Sequence, residues 1–272
     1  MYKHNTVLEI ARGVKAFLRL EAGLTRGTGS ADSRDRLGKD PLNLPGNGIA
    51  GQPKSIKVAI RNLQREVKVA AEAAEESAKS FRALEGEKGL KVNLGCGEDV
   101  RTGWVNIDLT STLPPWTPSD ATFVNHDLRR GLPLEAGSCG FVYSSHFFEH
   151  LEYEEGLKLM HDCYKALSLG GVFRIVLPNL TDWFDAYLRG EKEYFDLLDA
   201  ILPELGTKTL IDYINFGVYQ FGQHKYIYDE EKLESVLQRI GYSSVSPSSY
   251  QEGLDLDVPL RRRYSFYMEA VK

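Results

Sequence analysis

Two short runs place a turn that a ligand can approach beside an acid that can hold one. Leu90-Lys91-Val92-Asn93-Leu94 leads into Gly95-Cys96-Gly97, and Val105-Asn106-Ile107 leads into Asp108. Short apolar runs of this kind read as buried parallel strands, and glycines at a strand's carboxyl end let backbone come close to a ligand. An aspartate at the tip of the next strand can accept hydrogen bonds from the two hydroxyls of a ribose. The pattern therefore suggests a nucleoside-containing ligand in the crevice of an α/β sheet.

Spacing narrows the ligand. A dinucleotide fingerprint needs a third glycine opening a full helix, and an acid about 20 residues further on. Here Asp99-Val100 stand near the third-glycine place, and Asp108 follows Gly97 by only 11 residues. Glu98 and Asp99 occupy the ground a pyrophosphate would need. A ligand with a ribose and a cationic centre but no phosphate fits better, which points to S-adenosylmethionine.

A second pattern, His146-Phe147-Phe148-Glu149-His150, matches H-x-x-E-H, a zinc metalloprotease signature. That chemistry needs both histidines one turn apart on one helix, a third ligand, and the glutamate as base for zinc-bound water. The motif begins where a strand is expected to end, so His146 precedes the helix and no metal is expected. Further along, Asp182 and His224 could bind or deprotonate an acceptor, and Asn179 and Tyr187 could bond to it. Cys96 is small enough for a tight turn. Arg261-Arg262-Arg263 could attract an anionic acceptor or simply be a solvated cluster before an edge strand.

With N-L-G-C-G at Asn93–Gly97, G-W-x-N-I-D-L at Gly103–Leu109 and S-S-H-x-x-E-H-L at Ser144–Leu151, the chain resembles the class I S-adenosylmethionine-dependent methyltransferases. It looks most like a bacterial branch carrying those three motifs, and the resemblance runs from about Leu90 to the C-terminus. Asn93 stands where an acid usually begins the first motif. The resemblance implies a Rossmann-like α/β fold whose sheet is mostly parallel with the last strand antiparallel. It also implies S-adenosyl-L-methionine held by Asn93, Gly95, Cys96, Gly97, Asp108, Leu109, Asp127, Leu128 and Ser145, with Asp127 near the adenine amino group. His146 then lies beside the methyl group, where a side chain that titrates near neutrality suits a general base. Relatives often accompany surface-polysaccharide and glycan synthesis, so the implied reaction is O-methylation of a sugar or glycan-precursor hydroxyl. Another small molecule or natural product is the next acceptor class, and a non-catalytic scaffold keeping the fold is the alternative from outside enzymology.

The elements that must position these residues follow from periodicity. Residues 5 to 20 put Val7, Leu8, Ala11, Val14, Phe17 and Leu18 on one helical face. A linker rich in Gly, Pro, Ser, Asp and Arg runs from Glu21 to Pro53. Ser55 is expected to cap a helix whose seam, Ile56 through Leu84, alternates spacings of four and three, with Gly86 as its stop. This segment reads as a self-associating coiled coil or as a helix packed on its neighbour, and residues 1–86 as a helical extension joining a homo-oligomer. Residues 87–272 read as the methyltransferase domain, with strands at 121–125, 140–145, 172–177, 243–250 and 263–271. A helix is expected over Glu149–Leu167, a helical insertion from Thr181 to Leu205, and a last helix from Asp229 to Ile240.

A net charge of −5 argues against a nucleic-acid binder. Three widely spaced cysteines offer neither a disulfide framework nor metal spacing, and no run is long and apolar enough to span a membrane. A cytoplasmic protein is the expectation.

Overall fold

The computed structural model describes residues 52–110, 113–201 and 208–272. The expected helix at 5–20 and nearly all of the linker lie outside the described residues. Helix α1 (Gln52–Arg82) begins ahead of Ser55, which therefore lies inside the helix and does not cap it. The chain divides between Glu72 and Ala73, within α1, and the sheet belongs wholly to the unit 73–272. In that unit the last turns of α1 bury Ser77 and Phe81. The Ser77 hydroxyl bonds His126 Nδ1 at 2.8 Å, and Phe81 meets the His126 ring edge-on at 5.1 Å.

Seven strands form one sheet in the order β3-β2-β1-β4-β5-β7-β6. These are β1 (Leu90–Leu94), β2 (Val105–Asp108), β3 (Thr122–Asn125), β4 (Cys139–Ser145), β5 (Leu167–Pro178), β6 (Ser244–Ser248) and β7 (Ser265–Val271). β1 through β5 pair in parallel, and β7 runs antiparallel to both β5 and β6. The expected Rossmann-like sheet, mostly parallel with its last strand reversed, is the one this chain forms.

Burial on both faces explains the nearly continuous apolar runs. On one face Val92, Leu94, Val142, Phe173, Ile175 and Met268 join the main core. Helices α2 (Tyr153–Ala166) and α6 (Glu230–Ile240) cover it with Leu159, Met160, Leu233 and Leu237. On the other face Tyr143, Val176 and Tyr267 form a smaller cluster with Trp104, Phe141 and Tyr250. Asp229 starts α6 by accepting the Lys232 N–H at 2.7 Å, and Gly241 ends it in the left-handed conformation that favours glycine.

A second core lies among α3 (Leu180–Arg189), α4 (Asp196–Ile201), α5 (Leu210–Tyr219) and α7 (Pro259–Tyr264). Trp183, Phe195, Leu198, Tyr213 and Tyr264 fill it, with Phe195 stacked on Tyr213 at 4.6 Å. The expected insertion is thus helical but broken into short pieces. Two other expectations are corrected. Glu149–Leu167 is not one helix: a 3-10 turn over Phe148–His150 is followed by extended Leu151 and Glu152, and α2 begins only at Tyr153. Arg263, expected to open a strand, lies with Arg261 and Arg262 in α7, and the strand they precede, β7, is interior, since β6 forms the edge. Among the described residues no helix is long and apolar enough to cross a membrane.

Candidate functional site

The sheet order reverses direction between β2-β1 and β4-β5, and a crevice at such a switch point is where open α/β sheets bind ligands. The turn after β1 and the acid at the end of β2 meet there. The N–H groups of Gly95 and Cys96 both donate to the Ile107 carbonyl, at 2.9 and 3.3 Å, tying the turn to β2. Asp108 then accepts two backbone donors, Gly97 N–H at 2.7 Å and Leu109 N–H at 2.6 Å, one on each carboxylate oxygen. The turn and the acid are therefore one unit, and Asp108 is only partly buried.

The two glycines serve different ends. Both have positive φ, 60° at Gly95 and 52° at Gly97. A Cβ on Gly95 would fall 2.2 Å from Phe147 Cγ, whereas one on Gly97 would meet only open space. Gly95 makes room for the protein's own aromatic ring, and Gly97 leaves room above the turn. Between them Cys96 is 6% exposed, and burial, with the Asp108 and Asp99 charges adding to it, pushes its thiol up to about 12. It packs as a small inert residue.

Asn93 was expected at the ligand, but its amide serves the turn from below. Nearly inaccessible, it donates to the Asp99 carbonyl at 2.7 Å and to Asn106 Oδ1 at 3.3 Å. Asn106 in turn donates to the Arg101, Trp104 and Thr122 carbonyls and accepts the Arg101 N–H at 2.9 Å. Two buried amides thus hold the short connection where a full crossover helix would otherwise stand. The Arg101 guanidinium closes it from outside, pairing with Asp99 at 2.9 Å and lying 4.2 Å over the Tyr143 ring. Asn106 and Arg101 were not singled out from the sequence. The signal was there, in a polar residue at an inward position of an apolar strand.

On the far side of β2, Asp127 caps a 3-10 turn over Leu128–Arg130 by accepting the Arg129 N–H. Its carboxylate also takes two guanidinium bonds from Arg129, at 2.8 and 3.0 Å. Partial burial alone would raise its pKa, but the Arg129 bonds win and hold it below the usual carboxylate range. The Leu128 side chain belongs to the main core, and Leu109 is exposed. Ser145, buried at the end of β4, accepts a hydrogen bond from Arg261 at 3.0 Å.

His146 follows Ser145 directly, at φ 52°, an uncommon conformation for a residue with a side chain. Two hydrogen bonds hold it: its N–H donates to Val176 at 2.9 Å, and Nε2 sits 2.7 Å from Ser265 Oγ. Nδ1 lies 3.4 Å from Glu149 Oε1. Burial would raise the Glu149 pKa, but His146 and then His150 hold it below its ordinary value. His224 arrives from the segment after α5, its Nδ1 on the Gly217 carbonyl at 2.7 Å and its ring 5.1 Å from that of His150. Burial lowers its pKa.

The structure therefore gathers His146, Glu149, His150 and His224. His146 and His150 share no helix, so the metalloprotease arrangement does not form. Asp182 is exposed in the first turn of α3, where Asn179 Nδ2 donates to it at 2.8 Å. Its observed role is to steady Asn179, the residue that caps α3.

The sequence matches no protein-family model and no curated protein. Among solved structures, the chain is similar to an S-adenosylmethionine-dependent methyltransferase from Archaeoglobus fulgidus. Identity is 16%, coverage 74% of this chain and 94% of that one, and the TM-score 0.42. A methyltransferase from Mesorhizobium loti is similar at 18% identity, 71% and 96% coverage and TM-score 0.41. A possible histamine N-methyltransferase from Thermotoga maritima is similar at 12% identity, 78% and 95% coverage and TM-score 0.43.

Proposed function

We propose that this chain is an S-adenosylmethionine-dependent methyltransferase that methylates a hydroxyl of a sugar or glycan precursor. The observation that carries the reading is the unit formed by Gly97 and Asp108 at the switch point of the sheet. It pairs an open backbone face with a carboxylate already oriented by two N–H donors. The donor set fits the cofactor: Asp108 accepts from a ribose, and Glu98, exposed beside the turn, favours a cation. When bound, S-adenosylmethionine supplies an electrophilic methyl group on a sulfonium.

The residues have separate tasks. Gly95, Cys96 and Gly97 shape the turn, Asp108 fixes the ribose, and Asn93 acts through Asn106 to hold the connection between them. Asp127 meets the adenine edge once Arg129, exposed beside it, gives up part of its hold. Leu109 and Leu128 flank the adenosine through their backbone, and Ser145 with Arg261 closes the β4 side. In-line transfer breaks the sulfur–methyl bond and forms an oxygen–methyl bond, so the hydroxyl proton must leave. His146 takes that proton, held in place by Ser265 and supported by the Glu149 carboxylate. Phe184 and Tyr187, exposed on α3, offer flat faces on which a sugar ring can lie. His146 ranks ahead of Asp182 and His224 as the base because it directly follows Ser145 at the carboxyl end of β4, whereas Asp182 lies on α3 and His224 on the segment after α5.

Calorimetric titration with S-adenosylmethionine and its demethylated product tests the reading. Micromolar binding is expected, and Asp108→Ala should weaken it at least tenfold through lost charge-assisted hydrogen bonds. His146→Ala should leave that affinity near wild type while slowing methyl transfer. Folded protein that binds neither compound would leave the scaffold reading in its place.

A further inference from the structure

Glu149 is a carboxylate buried in the 3-10 turn that follows His146. Its side chain is 3% exposed, and neither carboxylate oxygen has a hydrogen-bond partner. His146 Nδ1 stands 3.4 Å from Oε1 and pairs with it as a charge only when protonated. A buried carboxylate left this way is costly unless it is paired or coordinates a cation. With His224, Leu177, Pro178 and Tyr228 it lines a cavity of about 10 Å³, room for one small occupant.

Two histidines stand at the same place. The ligand atoms of Glu149, His150 and His224 all lie within 4.8 Å of one another. Nδ1 of His224 is 2.7 Å from the Gly217 carbonyl and Nδ1 of His150 is 3.3 Å from the Gln223 carbonyl. A carbonyl oxygen can only accept, so each neutral ring carries its proton on Nδ1 and keeps the Nε2 lone pair free. A histidine whose outer nitrogen is fixed on a backbone carbonyl is the usual arrangement of a metal ligand.

We propose that Glu149, His150 and His224 bind one divalent transition cation, with Zn2+ as the reference ion. Two imidazole nitrogens and one carboxylate oxygen suit zinc and its neighbours, whereas calcium and magnesium take oxygen donors. At zinc–ligand distances near 2 Å, tetrahedral ligands lie about 3.3 Å apart, so the three groups must close in by up to about 1.5 Å. His150 on a short 3-10 turn and His224 on an irregular segment have the freedom to do so. The fourth position is left to water.

Occupancy would cross-link two stretches that already touch: Lys225 and Tyr226 both donate backbone N–H groups to the Glu149 carbonyl, at 2.7 and 3.3 Å. The ion would clamp the segment after α5 onto the turn that carries His146. Its role is one of positioning, and it stands independently of what the cofactor crevice binds.

The full chain, stripped with a chelator, is titrated with Zn2+ against a chromophoric zinc indicator, and separately with Co2+ while the visible ligand-field band is followed. One equivalent should bind with a Kd below about 1 μM, and Co2+ should give the intense band of a four-coordinate nitrogen–oxygen site. His224→Ala and His150→Ala, each checked for folding by circular dichroism, should weaken binding at least tenfold. Should Glu149→Ala not fold, Glu149→Gln keeps the shape and removes the charge, with the same loss expected. Wild-type protein that takes up no zinc below about 100 μM, or variants that bind like wild type, would overturn the assignment. S-adenosylmethionine appears in none of these measurements, so failure here is distinct from failure of the methyltransferase reading.

Discussion

Arg174 sits in the middle of β5 with its side chain wholly removed from solvent. Its guanidinium is shared out completely. Nε donates to Asp255 Oδ1 at 2.8 Å, and Nη2 donates to Asp255 Oδ2 and to the Ser249 carbonyl. Nη1 reaches Glu269 at 2.7 Å and Ser248 at 3.0 Å. Asp255, 2% exposed, accepts one further donor, the Gln251 N–H at 2.7 Å. The cation therefore fastens the 249–258 loop, which leads into α7 and Arg261, to the second face of the sheet.

Replacing Arg174 by methionine fills the space but leaves the Asp255 carboxylate buried and unpaired. Breaking one side of such a pair costs about 3–5 kcal/mol. For a unit of about 200 residues, at 2–4 °C per kcal/mol, melting should fall by roughly 6–20 °C. The partner's removal should restore much of this, since an apolar pair of similar volume is often neutral against a buried ion pair. Glu269, 30% exposed, can turn to water and to Gln251 Nε2 at 3.1 Å. Urea unfolding of wild type, Arg174→Met, Asp255→Leu and the double variant gives the coupling directly. A single-variant loss under 1 kcal/mol, or strictly additive effects, would refute the view that this ion pair fastens the loop.

Gly95→Ala should destabilise by about 2–5 kcal/mol, from the left-handed backbone and the collision with Phe147. Gly97→Ala should cost only about 1 kcal/mol in thermal melts yet weaken cofactor binding; equal destabilisation of the two variants would show that their roles had been misread. With the Cys96 thiol raised to about 12 against an ordinary 9.0, its thiolate fraction at pH 8 falls from about one in ten to about one in 10⁴. Alkylation followed by mass mapping should leave Cys96 unmodified until the protein unfolds. Stability linked to this group is complete below pH 9.0 and declines as pH rises from there towards about 12. A fast-reacting Cys96 in folded protein at pH 8 would contradict the burial.

Much of the framework is legible in the residues themselves. Short runs with apolar residues at alternate places, ending at glycine or aspartate, mark β1 and β2, because a buried strand needs apolar residues and its end must turn. The short spacing from Gly97 to Asp108 excludes a crossover helix before any coordinates are seen. The helical period of α1 and α6 and the glycine that ends α6 can be read the same way. These signals are local, set by backbone propensity and by which side of an element meets water.

What the sequence alone could not decide depends on partners far along the chain. Asn93 looks like a ligand residue until Asn106 and the Asp99 carbonyl are found to claim its amide. Arg174 reads as a lone charge in a strand, because Asp255 and Glu269 stand 81 and 95 residues away. Glu149 and His150 carry a zinc-like spacing with His146, yet the third group of the cluster is His224, delivered by a segment 74 residues beyond His150. The strands, the turn and the acid at the crevice can be read from local residue order. Only the tertiary structure decided which polar groups face a ligand and which are consumed inside, since a buried charge or amide takes its role from whichever partner the fold brings within about 3 Å.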